Sequence, residues 1–117
     1  MLLTSLCTWA RSVKFYDTEL LSSNQVTDIC QDSMGYIWIG TEYGLNKFDG
    51  AHVEQYYSDD ADPHSLCDDI VRCVMTASDG RVWVVTNRGV QHYNRMTDAF
   101  ETVMFAGSNT ANISDIL

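Results

Sequence analysis

The stretch VTDICQDSMGYIWIGTEYGLNKFD, Val26 to Asp49, returns 45 residues later as VRCVMTASDGRVWVVTNRGVQHYN, Val71 to Asn94. The two copies align without a gap, and the glycines and tryptophans that they share are Gly35 with Gly80, Trp38 with Trp83, and Gly44 with Gly89. A period of 40 to 50 residues built from short strands is typical of propeller blades. Because the tryptophan recurs in each copy, we expect Trp38 and Trp83 to pack between neighbouring sheets instead of forming sugar platforms.

Each copy reads as four short strands rich in β-branched and aromatic residues. The first strands, Gln25–Gln31 and Ile70–Thr76, are mostly apolar and are predicted to lie innermost around a central channel. The predicted strands that follow are Tyr36–Thr41, Gly44–Phe48 and Val53–Tyr57 in the first copy, and Arg81–Thr86, Gly89–Tyr93 and Phe100–Phe105 in the second. The sequence therefore predicts an all-β fold, a β-propeller fragment of two four-stranded antiparallel blades plus the start of a third.

Glycine recurs at the two turns of each copy, where a short hairpin favours a residue that tolerates positive φ. The positions are Gly35 and Gly80 in the first turn, and Gly44 and Gly89 in the second. We predict positive φ at all four.

The repeat also predicts how the chain is organised. Residues 13–57 form blade 1 with an N-terminal strand, 58–65 a linker containing Pro63, and 66–105 blade 2. Residues 106–117 form a further linker and the first strand of a truncated blade 3, since Ile113–Leu117 resembles Val26–Cys30. Val13–Asp17 is a candidate outer strand borrowed by another blade.

The first twelve residues have two interpretations. They begin MLLTSLCTWA, which is apolar and uncharged, and Thr8 and Ala10 suit the positions before a signal-peptidase cut, although a basic start is missing. They form either a residual signal peptide or a loosely packed native start. No apolar run reaches the length of about 20 residues that a membrane span needs, so we expect no membrane contact by this segment.

Composition excludes some partners. The formal net charge is −9, which opposes binding to nucleic acid and to anionic membranes. Two blades leave sheet flanks unfinished, so the isolated segment is expected to self-associate or to be marginally stable until the remaining blades of its parent chain cover it.

Side chains with catalytic or metal-binding chemistry show no recognisable pattern. The four cysteines lack CxxC spacing, and they are either small buried thiols or, for Cys67 and Cys73, a conceivable disulfide. The aspartates of Asp59–Asp69 lack the EF-hand pattern and are read as a solvated loop, with calcium as the alternative. His52, His64 and His92 are scattered. We predict no metal, no cofactor and no catalytic residue.

At this point the repeat resembles a known family. The stretch LLSSNQVTDICQDSMGYIWIGTEYGLNKFDG, Leu20 to Gly50, is similar to the two-component regulator propeller repeat, and DPHSL, Asp62 to Leu66, resembles the segment that precedes such repeats. The resemblance covers Leu20 to Phe105. The second copy departs from the pattern at Val84-Val85-Thr86 and at Tyr93-Asn94.

The resemblance implies the N-terminal sensor region of a bacterial hybrid two-component system histidine kinase. Such a segment is periplasmic, belongs to an inner-membrane protein, senses a carbohydrate and is not itself catalytic; its partner would be an oligosaccharide. The alternative is a protein-interaction propeller without signalling output. A propeller enzyme such as a carbohydrate lyase or hydrolase is a third class, for which no local signature is present.

Blade geometry predicts the binding face. The linker from an outer strand to the next inner strand opens on the same face as the turn between the second and third strands. That face collects Ser22 and Ser23, the linker residues Asp60–Ser65, and the candidate ligand contacts Asn24, Glu42, Tyr43, Asn87 and Arg88.

Overall fold

The structure, a computed structural model, describes residues 20–106. They form eight strands: β1 Val26–Gln31, β2 Ile37–Thr41, β3 Gly44–Phe48, β4 Val53–Tyr56, β5 Val71–Thr76, β6 Val82–Thr86, β7 Gly89–Asn94 and β8 Ala99–Phe105. These make two four-stranded antiparallel sheets in the orders β1-β2-β3-β4 and β5-β6-β7-β8. The all-β prediction is confirmed, with every strand boundary within one residue of its predicted place. The signal peptide, the Val13–Asp17 strand and nearly all of blade 3 lie outside the described residues.

The two sheets pack face to face as consecutive blades. Side chains alternate along each strand, so one face of blade 1 meets blade 2 and the other face turns away. Between the blades lies a core in which Trp38 is fully buried, together with Leu45, Val74, Val84 and Phe100. Trp38 contacts the Tyr93 ring of blade 2 edge to face at a centroid distance of 4.7 Å. The tryptophan of blade 1 therefore packs between neighbouring sheets.

Trp83, the second tryptophan, takes the same position in blade 2. It lies on the face turned away from blade 1, against the ring of His92, and is half-buried. Trp38 lies on the equivalent face of blade 1, which is the face that packs against blade 2. Trp83 is thus placed where the next blade of a propeller would pack.

Asp32 anchors Trp38 from the first turn of blade 1. Its carboxylate accepts hydrogen bonds from Trp38 Nε1 at 2.8 Å and from the backbone N–H groups of Met34 and Tyr36. Arg95 of blade 2 lies 3.5 Å from the same carboxylate. Ala77 occupies this position in the second copy, so only blade 1 has this connection.

The inner strands β1 and β5 are joined side by side. Thr27 Oγ1 donates to Val71 O at 2.7 Å, and the backbone N–H of Val74 donates to the Asp28 carboxylate at 2.9 Å. This close approach requires Gly40, because a Cβ there would lie 2.7 Å from Val71 Cγ1. Gly40, the glycine of the Trp-Ile-Gly-Thr motif, therefore leaves space on β2 into which Val71 of the next blade packs.

The glycine prediction is right at three turns and wrong at one. Gly35, Gly44 and Gly80 have positive φ, but Gly89 does not. Its small size is required for another reason, since a Cβ would lie 2.3 Å from the carbonyl oxygen of Met104 on β8. A register shift between Val90 and Gln91 interrupts the regular pairing of β7 with β8 next to this position.

A polar cluster closes the outer part of the blade interface. The carboxylate of Asp98, in the β7–β8 turn, accepts hydrogen bonds from the hydroxyls of Tyr56 at 2.7 Å and Tyr93 at 2.6 Å. Lys47 Nζ lies 3.7 Å from this carboxylate and 3.4 Å from Glu54. Burial alone would raise the pKa of Asp98, but the two hydroxyls and the ammonium outweigh it, so the pKa is lowered.

We predict that Gly40→Val, which installs the residue of the second copy, destabilises the protein. Overpacking against the buried Val71 should cost on the order of 1–3 kcal/mol. Urea unfolding at fixed protein concentration measures this. The control is Val85→Ala at the matching position of blade 2, which should lower the free energy of unfolding less. Equal losses in the two variants would contradict the role of Gly40 in blade packing.

We predict that Asp98→Asn lowers stability at pH 7 and that the deficit becomes smaller in acid. A carboxylate with a lowered pKa stabilises the fold above its unfolded value of about 3.9 and loses that contribution as the pH falls through its folded pKa. Asparagine tolerates the positive φ of 53° at this position. Unfolding by urea at pH 7 and pH 3 compares the variants, with Glu101→Gln as control. A deficit at pH 3 as large as the deficit at pH 7 would contradict the role of the charge.

Candidate functional site

The linker end of the blades is held together by backbone hydrogen bonds. The N–H of Gly44, in the β2–β3 turn, donates to the carbonyl of Asp69 in the linker at 2.7 Å. Glu42 N donates to Gln25 O at 3.0 Å, and Asn87 N donates to Ile70 O at 3.2 Å. Each turn is therefore fastened to the segment that precedes an inner strand, and the linker and turns share one face.

A buried amide positions the approach to each inner strand. Asn46 and Gln91 occupy matching positions, and both are fully buried. Asn46 Oδ1 accepts from Ser22 N at 2.9 Å, and Gln91 Oε1 accepts from Cys67 N at 2.9 Å. Cys67 stands where blade 1 has Ser22, and its Sγ lies 3.2 Å from Thr86 Oγ1. The thiol thus replaces a hydroxyl.

The described cysteines are free thiols, including Cys67 and Cys73. Burial is the main cause that raises the pKa of Cys30 to about 12 and of Cys73 to about 11. Thiols of such high pKa carry almost no thiolate near neutral pH, so they are poor nucleophiles and poor metal ligands.

Across residues 20–106 no three metal-ligating side chains come together. Nor does that part of the chain contain a helix that could cross a membrane.

A cleft of about 380 Å³ opens between the blades at the inner edge of this face. Its lining residues are Thr27, Glu42, Ile70, Val71, Arg72 and Asn87. Two predicted ligand contacts, Glu42 and Asn87, therefore meet here, one from each blade. Arg72 was not predicted. Its Nε donates to Asn87 Oδ1, which orients the guanidinium within the cleft.

The cleft offers complementary hydrogen-bonding groups. Glu42 supplies acceptors, whereas Arg72 and the amide nitrogen of Asn87 supply donors in planar arrays. All three side chains are exposed. Such a set suits a ligand that both donates and accepts hydrogen bonds, as sugar hydroxyls do. Arg72 occupies the position of Thr27 in the first copy. This difference between the copies, on the predicted binding face, was the signal from which Arg72 could have been predicted.

The other predicted contacts share the face but line no part of this cleft. Asn24 is exposed and accepts a side-chain hydrogen bond from Gln25. Tyr43 is 57% exposed and its ring contacts that of Tyr57, with the centroids 5.4 Å apart. Arg88 is exposed in the β6–β7 turn, where its carbonyl accepts from Ala106 N at 2.7 Å.

A second cleft, of about 460 Å³, lies at the opposite end of the blades. Its lining includes Arg81, His92 and Glu101. The last two belong to the face of blade 2 that is turned away from blade 1, and His92 Nε2 lies 3.6 Å from the Glu101 carboxylate. A following blade would cover only that part of the cleft, but none of the predicted ligand contacts lines it, whereas the cleft on the linker face brings Glu42 and Asn87 together. We therefore favour the cleft on the linker face as the candidate site.

Comparison with known proteins identifies the repeats. The family of two component regulator propellers matches residues 20–43 and 65–88, which run from just before β1 into the β2–β3 turn and from just before β5 into the β6–β7 turn. Each of the two blades therefore contains a segment that matches the two-component regulator propeller repeat. The family resemblance drawn from the sequence is thereby confirmed. The matched segments contain β2 with Trp38 and β6 with Trp83, and they end at Tyr43 and Arg88.

Solved structures with this fold include extracellular domains of proteins from B. thetaiotaomicron. The extracellular domain assigned to the hybrid two component system BT3049 from B. thetaiotaomicron is 33% identical, with a TM-score of 0.66 over 76% of this chain and 13% of that chain. The extracellular domain of BT4673 from the same organism, at 20% identity, has a TM-score of 0.61 over 73% of this chain and 12% of its own, and shares the fold.

A curated relative links the repeat to a kinase. The histidine kinase P4 of Formosa agariphila is 46% identical over 46 residues, which is 39% of this chain and 3% of that protein. The regulator propeller segment thus spans only a small part of each protein that it matches.

Proposed function

We propose that this chain is an extracytoplasmic, ligand-sensing segment of a hybrid two-component system histidine kinase. The observation that carries the proposal is the 33% identity to an extracellular domain of a hybrid two component system over 76% of the chain. The kinase relative supports the same kind of parent protein. The segment binds and does not catalyse; phosphotransfer belongs to another part of the parent chain, beyond an inner membrane.

The proposed ligand is a carbohydrate that binds on the linker face. The cleft between the blades has a volume within the range of about 300–1,000 Å³ of small-molecule sites. Glu42 and Asn87 come from different blades, so a ligand that contacts both is sensitive to how the blades sit relative to each other. That dependence gives a binding event a route to the rest of a propeller, as sensing requires.

The first test reads the coding sequence on both sides of this segment. We expect further copies of the repeat, then one apolar span of about 20 residues and a kinase domain. A stop codon directly after the propeller would overturn the signalling assignment. The remaining function would then be that of a propeller without signalling output.

The second test removes the polar groups of the cleft. Arg72→Ala and Glu42→Ala should each weaken binding of a glycan found on an array of oligosaccharides by about tenfold or more, since a hydrogen bond to a charged group contributes about 1.5–3 kcal/mol. Asn87→Ala removes a neutral amide, whose hydrogen bond contributes about 0.5–1.5 kcal/mol, and should weaken binding less. Titration calorimetry measures the affinities. Arg81→Ala, an exposed arginine at the opposite end of the blades, is the control and should bind normally. Normal affinity in all three cleft variants would remove the cleft as the ligand site.

A further inference from the structure

The basic residues of the described structure fall into two groups. Lys47, Arg81 and Arg95 each lie 3.4–3.5 Å from a carboxylate. Arg72 and Arg88 take part in none of the ion pairs among residues 20–106, and Arg72 lines the cleft on the linker face. The chain has 16 acidic residues and 7 basic ones, so carboxylates are plentiful as partners. An arginine left without one in such a chain is free to bind an anionic group of another molecule.

Arg72 is held in the cleft by the β6–β7 turn of its own blade. Its Nε donates to Asn87 Oδ1, and the N–H of Asn87 donates to Ile70 O at 3.2 Å. The two Nη groups of the guanidinium donate to no acceptor within residues 20–106. A guanidinium binds a carboxylate through two parallel N–H groups. The cleft therefore presents a fixed cation whose remaining donors suit a carboxylate.

Glu42 brings the opposite charge from the other blade. Its N–H donates to Gln25 O at 3.0 Å, which fastens the β2–β3 turn to the residue before β1. Its carboxylate is exposed and has no cation or hydrogen-bond donor as a partner within the described part of the chain. Glu42 and Arg72 line the same cleft of about 380 Å³ without pairing with each other. Two opposite charges thus face one cleft, each without a counter-ion.

The remaining wall of the cleft is largely apolar. Ile70, which is 39% exposed, and Val71 supply aliphatic surface, and the Thr27 hydroxyl already donates to Val71 O at 2.7 Å. A neutral ligand here would displace water from Glu42 and Arg72 without supplying a counter-charge, which costs free energy. A ligand with one cationic and one anionic group pairs with both side chains and places its apolar part on the aliphatic wall.

We propose that the cleft between the blades selects a small zwitterionic ligand, whose carboxylate binds Arg72 and whose ammonium group binds Glu42. The inference rests on the proposed function, in which this cleft binds the sensed ligand, and it adds the charges that the ligand carries. An ammonium and a carboxylate joined by a short stretch of atoms occur in short peptides and in amino sugars that bear a carboxylate. The chain's net charge of −9 does not repel such a ligand, whose own net charge is zero.

The test titrates the 117-residue chain with zwitterions from both sources, using calorimetry. The peptides are alanyl-alanine and alanyl-leucine, and the amino sugar is muramic acid. Each has two matched analogues: the N-acetylated form lacks the ammonium group, and the amide form lacks the carboxylate. We expect at least one zwitterion to bind, and both of its analogues to bind about tenfold or more weakly, because each has lost a charge-assisted hydrogen bond.

Matched variants assign each charge of the ligand to its partner. Glu42→Gln keeps the size of the side chain, should weaken binding of the zwitterion by about tenfold, and should no longer distinguish it from the N-acetylated analogue. Arg72→Gln should weaken binding similarly and no longer distinguish the zwitterion from the amide. Arg81→Gln, at the opposite end of the blades, should bind as the unchanged chain does. A variant that merely perturbs the fold would lose affinity for all ligands equally, and thermal melting checks each one.

The outcomes separate this inference from the carbohydrate proposal. Discrimination by muramic acid supports both. Discrimination by a peptide alone supports the zwitterionic site and removes carbohydrate as the ligand class. A chain that binds none of the zwitterions overturns the inference, and if it binds a neutral oligosaccharide the carbohydrate proposal stands. Zwitterion binding that Glu42→Gln and Arg72→Gln leave unchanged also overturns the inference.

Discussion

Burial of Trp38 between the two sheets is the interaction on which the rest of the described structure depends. The indole fills the space between blades, and its one polar atom is satisfied by the buried Asp32 carboxylate, so nothing polar is left unpaired there. For the sheets to approach this closely, β5 must lie directly over Gly40. Trp38 and Gly40, two residues apart on β2, therefore work together: the indole fills the space between the blades, and the missing side chain lets β5 approach.

The binding face follows from the same packing. Because the inner strands are fastened side by side through Thr27 and Asp28, the turns of the two blades open next to each other. Buried amides then hold the incoming segment against each sheet, and the Asp69 carbonyl ties the linker to the β2–β3 turn. Glu42 and Asn87 meet across a blade boundary as a result. The proposed ligand contacts and the core that positions them are thus parts of one arrangement.

Sequence could predict the strands closely because two signals agree in each copy, alternation of apolar residues and glycine at the turns. Where the copies differ, prediction was weaker. In the alignment of the two copies, Asp32 corresponds to Ala77 and Arg72 corresponds to Thr27. Comparison of the copies therefore did not reveal that Asp32 binds Trp38 or that Arg72 is the cation of the cleft. Glu42 and Asn87 could be placed on one face, but their meeting depends on how two sheets pack. The small size required at Gly89 depends on the backbone of β8, a neighbour across the sheet that no local pattern encodes.

Differences between the blades also determine which unit can follow which. Blade 1 offers its neighbour Gly40, Asp32 and Asp28, whereas the matching face of blade 2 offers Val85, Ala77 and Cys73. An array of identical units with identical faces can grow without limit into a filament. A second copy of blade 2 placed on this face would meet the side chain of Val85 where Gly40 leaves space in blade 1. It would find no carboxylate at the positions of Asp32 and Asp28. The divergence of the repeats thus makes successive junctions chemically different, so the contact that joins blade 1 to blade 2 cannot be repeated unchanged at the far face of blade 2.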